Sequence, residues 1–302
     1  MSEAPIPRWL GVCLMLGIAF TFASNHIAAR IAFDHGANVL TAVAFRSAGT
    51  ALAVLALMLM VGVPLRMDTA TRGRALVIGV VLSVQSYCLY SAIARIPVAL
   101  ALLVFNLFPL LFSLLSWVAG TERPSRRVLY AMPVALGGLA LALDVGGWSG
   151  AGARGFSGRW AEIGSGAGFA LGAAISFTVA LFLTVRWLGD VDGRLRSFMS
   201  MSTVAVIFVV AGLATDGFAL PRDATGWVAV ALLTALYGIA FTSLFVLLPR
   251  LGAANNAAVM NFEPIAGLFL GWAILGQGVG LLQIVGAFIV IGAIVALATA
   301  KR

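Results

Sequence analysis

Only two cysteines and two histidines occur among the 302 residues, and charged side chains make up only 10% of them. Each scarcity removes a class of function. Cys13 and Cys88 both fall in apolar runs, which rules out a disulfide framework and a thiolate metal site. The two histidines and 11 acidic residues are scattered mostly in connecting stretches, so no cluster suits metal-dependent chemistry, and no metal or cofactor is expected. "GWSG", residues 147–150, matches the short string of an intramembrane serine protease, yet no histidine follows Ser149 to serve as its base. No GxxxxGK[ST] string is present, so nucleotide use is not expected.

What fills the chain instead is apolar: 62% of the residues are hydrophobic, against about 45 to 50% in an ordinary soluble domain. A hydrocarbon core about 30 Å thick needs about 20 apolar residues per crossing helix. Ten such runs are expected, near 9–29, 39–61, 74–94, 98–119, 128–145, 161–185, 197–214, 226–248, 254–275 and 279–300. Strands of a membrane barrel would alternate polar and apolar residues, which these runs do not. The first run lacks a small-residue cleavage site and reads as a retained helix.

The net charge of +8 would suit nucleic acid were it clustered, but it is spread by side. With the N-terminus on side one, that side carries Arg8, Arg66, Arg72, Arg74, Arg123, Arg126, Arg127, Arg186, Arg194, Arg196, Arg250, Lys301 and Arg302. The other side has Arg30, Arg95, Arg154, Arg159 and Arg222. The positive-inside rule then puts both termini in the cytoplasm, with membrane lipid as the surrounding partner and no nucleic acid.

The chain compares with itself at a constant offset of 155 residues. Gly17 pairs with Gly172, Phe22 with Phe177, Ser47 with Ser202, Arg95 with Arg250, Asn106 with Asn261, Pro109 with Pro264 and Trp117 with Trp272. Five helices per copy is odd, so the second copy enters from the opposite side. The expected architecture is an all-α membrane protein of ten helices in two inverted repeats, residues 1–146 and 161–302, joined by an extracytoplasmic linker at 147–160. Inverted repeats suit alternating access, with a site near the midplane where the halves meet. Gly164, Gly168 and Gly172, and the pair Gly267 and Gly271, are expected to bring helices close together.

A charged group at a helix centre costs about 2.5 to 3.5 kcal/mol on insertion scales, so each one asks for a reason. Glu263 lies about nine residues into the ninth run, where its repeat mate is Phe108. It suits substrate-amine binding or proton coupling, or else a hydrogen bond to backbone loosened by Pro264. Asn106 and Asn261 flank the paired prolines and suit carbonyls freed there, while Asn255 and Asn256 suit caps. His26, beside Asn25, could relay protons or bond a neighbour. Arg46 reads as shallow enough to snorkel or to pair with a carboxylate. Ser83, Tyr87 and Tyr90 are spaced to share a face of the third helix beside Gln85 and Ser86, with Tyr237 and Phe241 on the eighth. Tyr90, near a helix end, fits an interfacial belt or a cavity wall.

Ten helices in two halves, the Pro109 and Pro264 pair, and "AGTE" ending at Glu122 resemble the drug/metabolite transporter superfamily, in particular its EamA-type members. Many of those carry Gly-Glu after the ninth helix, where this chain has Gly276 and Gln277. The length and aromatic content also resemble the YddG-like group of bacterial amino-acid exporters. That resemblance implies a chamber in which Phe105, Asn106, Asn261 and Glu263 face Asn25, His26, Gln85, Tyr87, Tyr90, Ser176 and Tyr237. It implies small-molecule export, of hydrophobic or aromatic amino acids, with efflux of cationic drugs or other metabolites as the alternative. A receptor or an intramembrane enzyme has less need of two opposed equivalent halves. The topology is testable by cysteine labelling: both termini and the loop around Arg126 are expected inside and the linker around Ser149 outside, and termini on opposite faces would remove the five-plus-five arrangement.

Overall fold

The structure is a computed structural model and describes residues 8–120, 126–142, 155–251, 262–278 and 280–298. These form helices α1 (Arg8–Asp34), α2 (Val39–Val61), α3 (Thr69–Arg95), α4 (Val98–Phe105), α5 (Phe108–Val118), α6 (Arg126–Ala142), α7 (Gly155–Trp187), α8 (Gly193–Ala214), α9 (Ala224–Leu251), α10 (Glu263–Leu275) and α11 (Leu281–Ala298). No strand occurs among the described residues. Among the described residues seven stretches are long and apolar enough to cross a bilayer, the fourth of them running through α4 and α5 as Val98–Val118. Three shorter apolar helices, Pro133–Ala142, Glu263–Leu275 and Leu281–Ala293, occupy the places of the fifth, ninth and tenth expected runs. The chain is a multi-pass helical membrane protein.

Two expected boundaries are corrected. The fourth run is not continuous: α4 stops at Phe105 and α5 starts at Phe108. Pro109 has no N–H, and its ring collides with the carbonyl four residues back, that of Phe105, so the helix must open there. Asn106 follows at the break and donates its Nδ2 to the Leu102 carbonyl at 2.8 Å, satisfying an acceptor near the helix end. The sixth helix starts at Gly155, inside the stretch expected as linker, so residues 155–160 are helical. The rest of that linker, with Ser149, lies outside the described residues, as do Asn255, Asn256 and Asn261.

The two halves interlock. The principal helix pairings are α1 with α9, α3 with α7, α2 with α8, α6 with α11, α2 with α9, α3 with α8, α1 with α10, α4 and α5 with α7, and α4 with α10. Among the pairings whose helices both have a described mate at the 155-residue offset, exchanging each helix for its mate turns the set into itself. Close approach follows the same exchange: a Cβ on Gly49 would lie 2.4 Å from Thr234 Cγ2, and one on Gly79 would lie 2.5 Å from Thr203 Cβ. Thr234 is the offset mate of Gly79. The expected glycine stripe on α7 does less. Gly168 meets nothing within 4 Å and Gly172 is in ordinary contact with Cys88 Sγ at 3.4 Å, while the tight contact on α7 is Gly166 against Ile96.

One end of the bundle is tied by polar loops. Asn38 caps α2 by accepting from the Thr41 amide at 2.9 Å and donates its Nδ2 to the Gly217 carbonyl. Thr41 Oγ1 donates to the Ala219 carbonyl at 2.8 Å, and the Arg222 amide donates to that of His35 at 3.0 Å. His35 Nδ1 lies 2.7 Å from Asp223 Oδ2. Asp223 is held below the usual carboxylate range, first by the Gly226 amide and then by His35. The entry of α2 and the exit of α8 therefore sit side by side.

The Gly79 contact is expected to limit substitution. Gly79→Ala should lower the thermal unfolding midpoint in detergent by several degrees, consistent with an overpacking cost of about 1 to 3 kcal/mol. Gly17→Ala, at a glycine with no neighbour within 4 Å, is the control. Adding Thr203→Ala should recover part of the loss, and equal midpoints for Gly79→Ala and Gly17→Ala would show that α3 and α8 have room to part.

Candidate functional site

Seven side chains from five helices converge below the polar clasp. α1 supplies Asn25 and His26, α2 Arg46, α3 Ser86 and Tyr90, α9 Tyr237, and α10 Glu263. Helix α1 is pinned first. Asn25 is fully buried, donates its Nδ2 to the Leu233 carbonyl on α9 at 2.6 Å, and accepts from the Tyr90 hydroxyl at 3.0 Å. Both ends of its amide are thus used, and Asn25 fixes Tyr90 while joining the halves. Tyr90 is completely buried, which places it in the interior and not at an interfacial belt.

Next to Asn25, His26 turns toward the second half. Its Nε2 lies 3.1 Å from Glu263 Oε1, with the two side chains 4% and 13% exposed. Helix α10 starts at Glu263, with Pro264 in its first two positions, so Glu263 lies in the first turn. There the helix dipole favours a negative charge. The partner of Glu263 here is a side chain from the other half. His26 also packs edge-on against Tyr90, ring centroids 5.9 Å apart.

The centre of the cluster is Arg46, which the sequence reading had set aside. It is 2% exposed, so it does not snorkel, and no carboxylate pairs with it among the described residues. Its guanidinium carbon lies 4.1 Å from the Tyr237 ring centroid and 4.7 Å from that of Tyr90. Nη2 donates to Ser86 Oγ at 2.9 Å, and Ser86 in turn lies 3.3 Å from Gln85 Oε1. Two rings and one hydroxyl offset part of the cost of burying the charge, each desolvated cation–π contact contributing about 2 kcal/mol or more. Tyr237 is itself held by Phe22 edge-on at 5.6 Å and by Phe241 stacked at 5.5 Å. The sequence signal for Arg46 was present: an arginine inside an apolar run.

Other expected site residues lie apart from this cluster. Tyr87 is corrected: it is 43% exposed, packs on Phe169, and borders the exposed apolar stripe of Leu76, Val77, Val80 and Val84. At about 100° per residue, Tyr87 is turned about 40° from Ser83 and about 60° from Tyr90, enough to cross the edge of the buried face. Phe105 belongs to a separate aromatic group with Phe108 and Phe177, at 5.7 and 5.4 Å. Ser176, beside Phe177 on α7, is half-buried. A small void of about 20 Å³, room for one water, lies between α4, α10 and α11 and is lined by Leu103, Pro264, Ile265 and Phe288. It is far below the size of a metabolite site.

The aromatic clamp can be probed apart from transport. Tyr237→Phe keeps the ring over Arg46 and is expected to leave the unfolding midpoint within about a degree, whereas Tyr237→Leu should lower it clearly. Tyr87→Leu, on the exposed edge, should behave as wild type. A Tyr237→Leu variant as stable as Tyr237→Phe would mean that Arg46 gains nothing from the ring.

Comparison with known proteins agrees with this picture. The family model described as the EamA-like transporter family matches twice, at residues 9–143 and at 164–299. A solved crystal structure aligns with a TM-score of 0.63 at 21% identity, over 96% of this chain and 95% of that one, a likeness of fold. No curated protein matches.

Proposed function

The chain belongs to the EamA-like transporter family, and on that premise we propose that it is an alternating-access carrier exporting hydrophobic and aromatic amino acids with broad selectivity. Its ten helices form two inverted halves in the cytoplasmic membrane, with both termini inside. The exchange-invariant helix pairing supports two equivalent halves, and the α2 entry lying beside the exit of its mate α8 supports their inversion, an arrangement that opposed copies produce.

One observation carries the functional reading: the buried contact of His26 with Glu263, which joins the first helix of one half to the fourth of the other. A carrier that alternates must break and remake contacts between its halves, and the solute must sit where they part. The cluster there combines aromatic rings with a cation, an anion and an imidazole. Such a site suits a zwitterion: rings receive an apolar side chain, and charges of both signs receive its ends. Few groups are present to reject a near relative, hence the breadth.

Glu263 is the candidate for proton coupling. It packs from α10 against α1 and α4, where His26 is the titratable group in contact with it. Counterflow in liposomes tests the assignment, with phenylalanine, leucine, alanine, a cationic drug and a sugar nucleotide as solutes. Wild-type protein is expected to exchange the first two. Glu263→Gln should abolish pH-driven accumulation and leave exchange, and unchanged pH dependence would return Glu263 to a structural role. Movement of the drug or the sugar nucleotide with no amino-acid counterflow would end the amino-acid reading and leave the carrier fold standing.

A further inference from the structure

The buried cluster has an excess of donors. The side-chain amide oxygens beside Arg46 are engaged: Asn25 Oδ1 takes the Tyr90 hydroxyl, and Gln85 Oε1 lies against the Ser86 hydroxyl, which itself receives Arg46 Nη2. Arg46 Nε remains buried with no hydrogen-bond partner. The only described carboxylate of the cluster, Glu263, is turned to His26. A buried donor left unpaired is costly, and more so when charged. The missing partner is thus an acceptor, preferably a negative one.

Geometry narrows the acceptor further. Tyr237 and Tyr90 stack over the guanidinium, so approach over those rings is closed. Nε–H points in the guanidinium plane, along the edge where a carboxylate binds arginine with two parallel hydrogen bonds. Ser86 takes one hydrogen of Nη2, and the Nε hydrogen is left. The opposite pole of the cluster accepts when His26 is neutral: with Nε2–H donated to Glu263, its Nδ1 carries a lone pair, and that atom too is buried without a partner.

Resting on the transporter reading above, we propose that Arg46 is the carboxylate anchor of the transported solute, which must therefore be an acid with an apolar body. The aromatic residues that hold the guanidinium, Tyr237 foremost, form the wall for that body. His26 and Glu263 face an amine where the solute carries one. In this conformation the rings lie directly on Arg46, so the carboxylate enters along the guanidinium edge as Tyr237 gives way.

A matched ligand series on the purified full-length protein tests this. Binding of phenylalanine, 3-phenylpropanoate, phenylalaninamide and phenethylamine is measured by calorimetry in detergent. The two acids are expected to bind at least ten-fold more tightly than the amide and the amine. Arg46→Gln should bring all four within about two-fold of one another, and Arg46→Lys, which keeps the charge and loses the planar fork, should retain part of the preference. Amide or amine binding as tight as the acids, or a preference that survives in Arg46→Gln, overturns the anchor. Should Arg46→Gln not fold, the wild-type series decides alone. Arg46-dependent binding of 3-phenylpropanoate without phenylalanine binding keeps the anchor and ends the amino-acid reading. Phenylalanine counterflow without any carboxylate preference does the reverse, and binding of none of the four overturns both.

Discussion

A polar group inside hydrocarbon must find its partner within the protein, because no water is there to supply one. That constraint explains most of what distinguishes this bundle from ten generic apolar helices. Hydrophobic side chains gain little from leaving lipid for another helix, so association depends on close packing and on the few polar side chains. Here those side chains reach across. Asn25 on α1 bonds to α9, His26 meets α10, and Arg46 on α2 is held by rings from α3 and α9. The same residues that make the site also join the halves.

The joint is uneven from one end to the other. At the α1–α2 loop, the connections to the α8–α9 loop are hydrogen bonds and a histidine–aspartate pair. At the other end, where α2 leads to α3 and α7 to α8, Val63 and Met67 pack with Val191, Leu195 and Met199. Polar clasps are directional and lose most of their energy when misaligned, whereas apolar contacts slide. A rocking motion about the centre would therefore meet different resistance at its two ends, although the helices that move are paired by the same exchange.

Much of this was legible in the chain. Length, composition and the 155-residue offset were enough for an all-helical membrane protein of two repeats, because a bilayer leaves few alternatives. Glu263 and His26 stood out for the same reason: their cost in hydrocarbon marks them before any contact is known. Helix interruption was harder. Pro109 was visible, but a sum of hydropathy runs straight through Phe105 to Phe108, and only the carbonyl four residues back decides where α4 ends. Tyr87 failed on angle, since spacing of four residues leaves about 40° of turn, and a face edge is narrower than that. The glycine stripe on α7 failed because spacing tells which residues could meet a neighbour, not which neighbour is there.

Arg46 is the most instructive of these cases. Counted from the start of α2 it is about 10 Å deep, a depth from which a long side chain ordinarily reaches the interface. What prevents this is lateral: α2 packs between α8 and α9, and the bonds of Asn38 and Thr41 to the Gly217 and Ala219 carbonyls hold its rotation. The side chain is then directed into the bundle, where Tyr90 is already held by Asn25 and Tyr237 by Phe22 and Phe241. Depth along one helix can be read from a sequence, but rotation about its axis is set by the neighbours. A cation kept in such a place without a carboxylate retains most of its field, since little around it screens the charge. That field is available to whatever anion can reach the Nε edge, and the two rings that shield the guanidinium also determine the shape of what can follow it in.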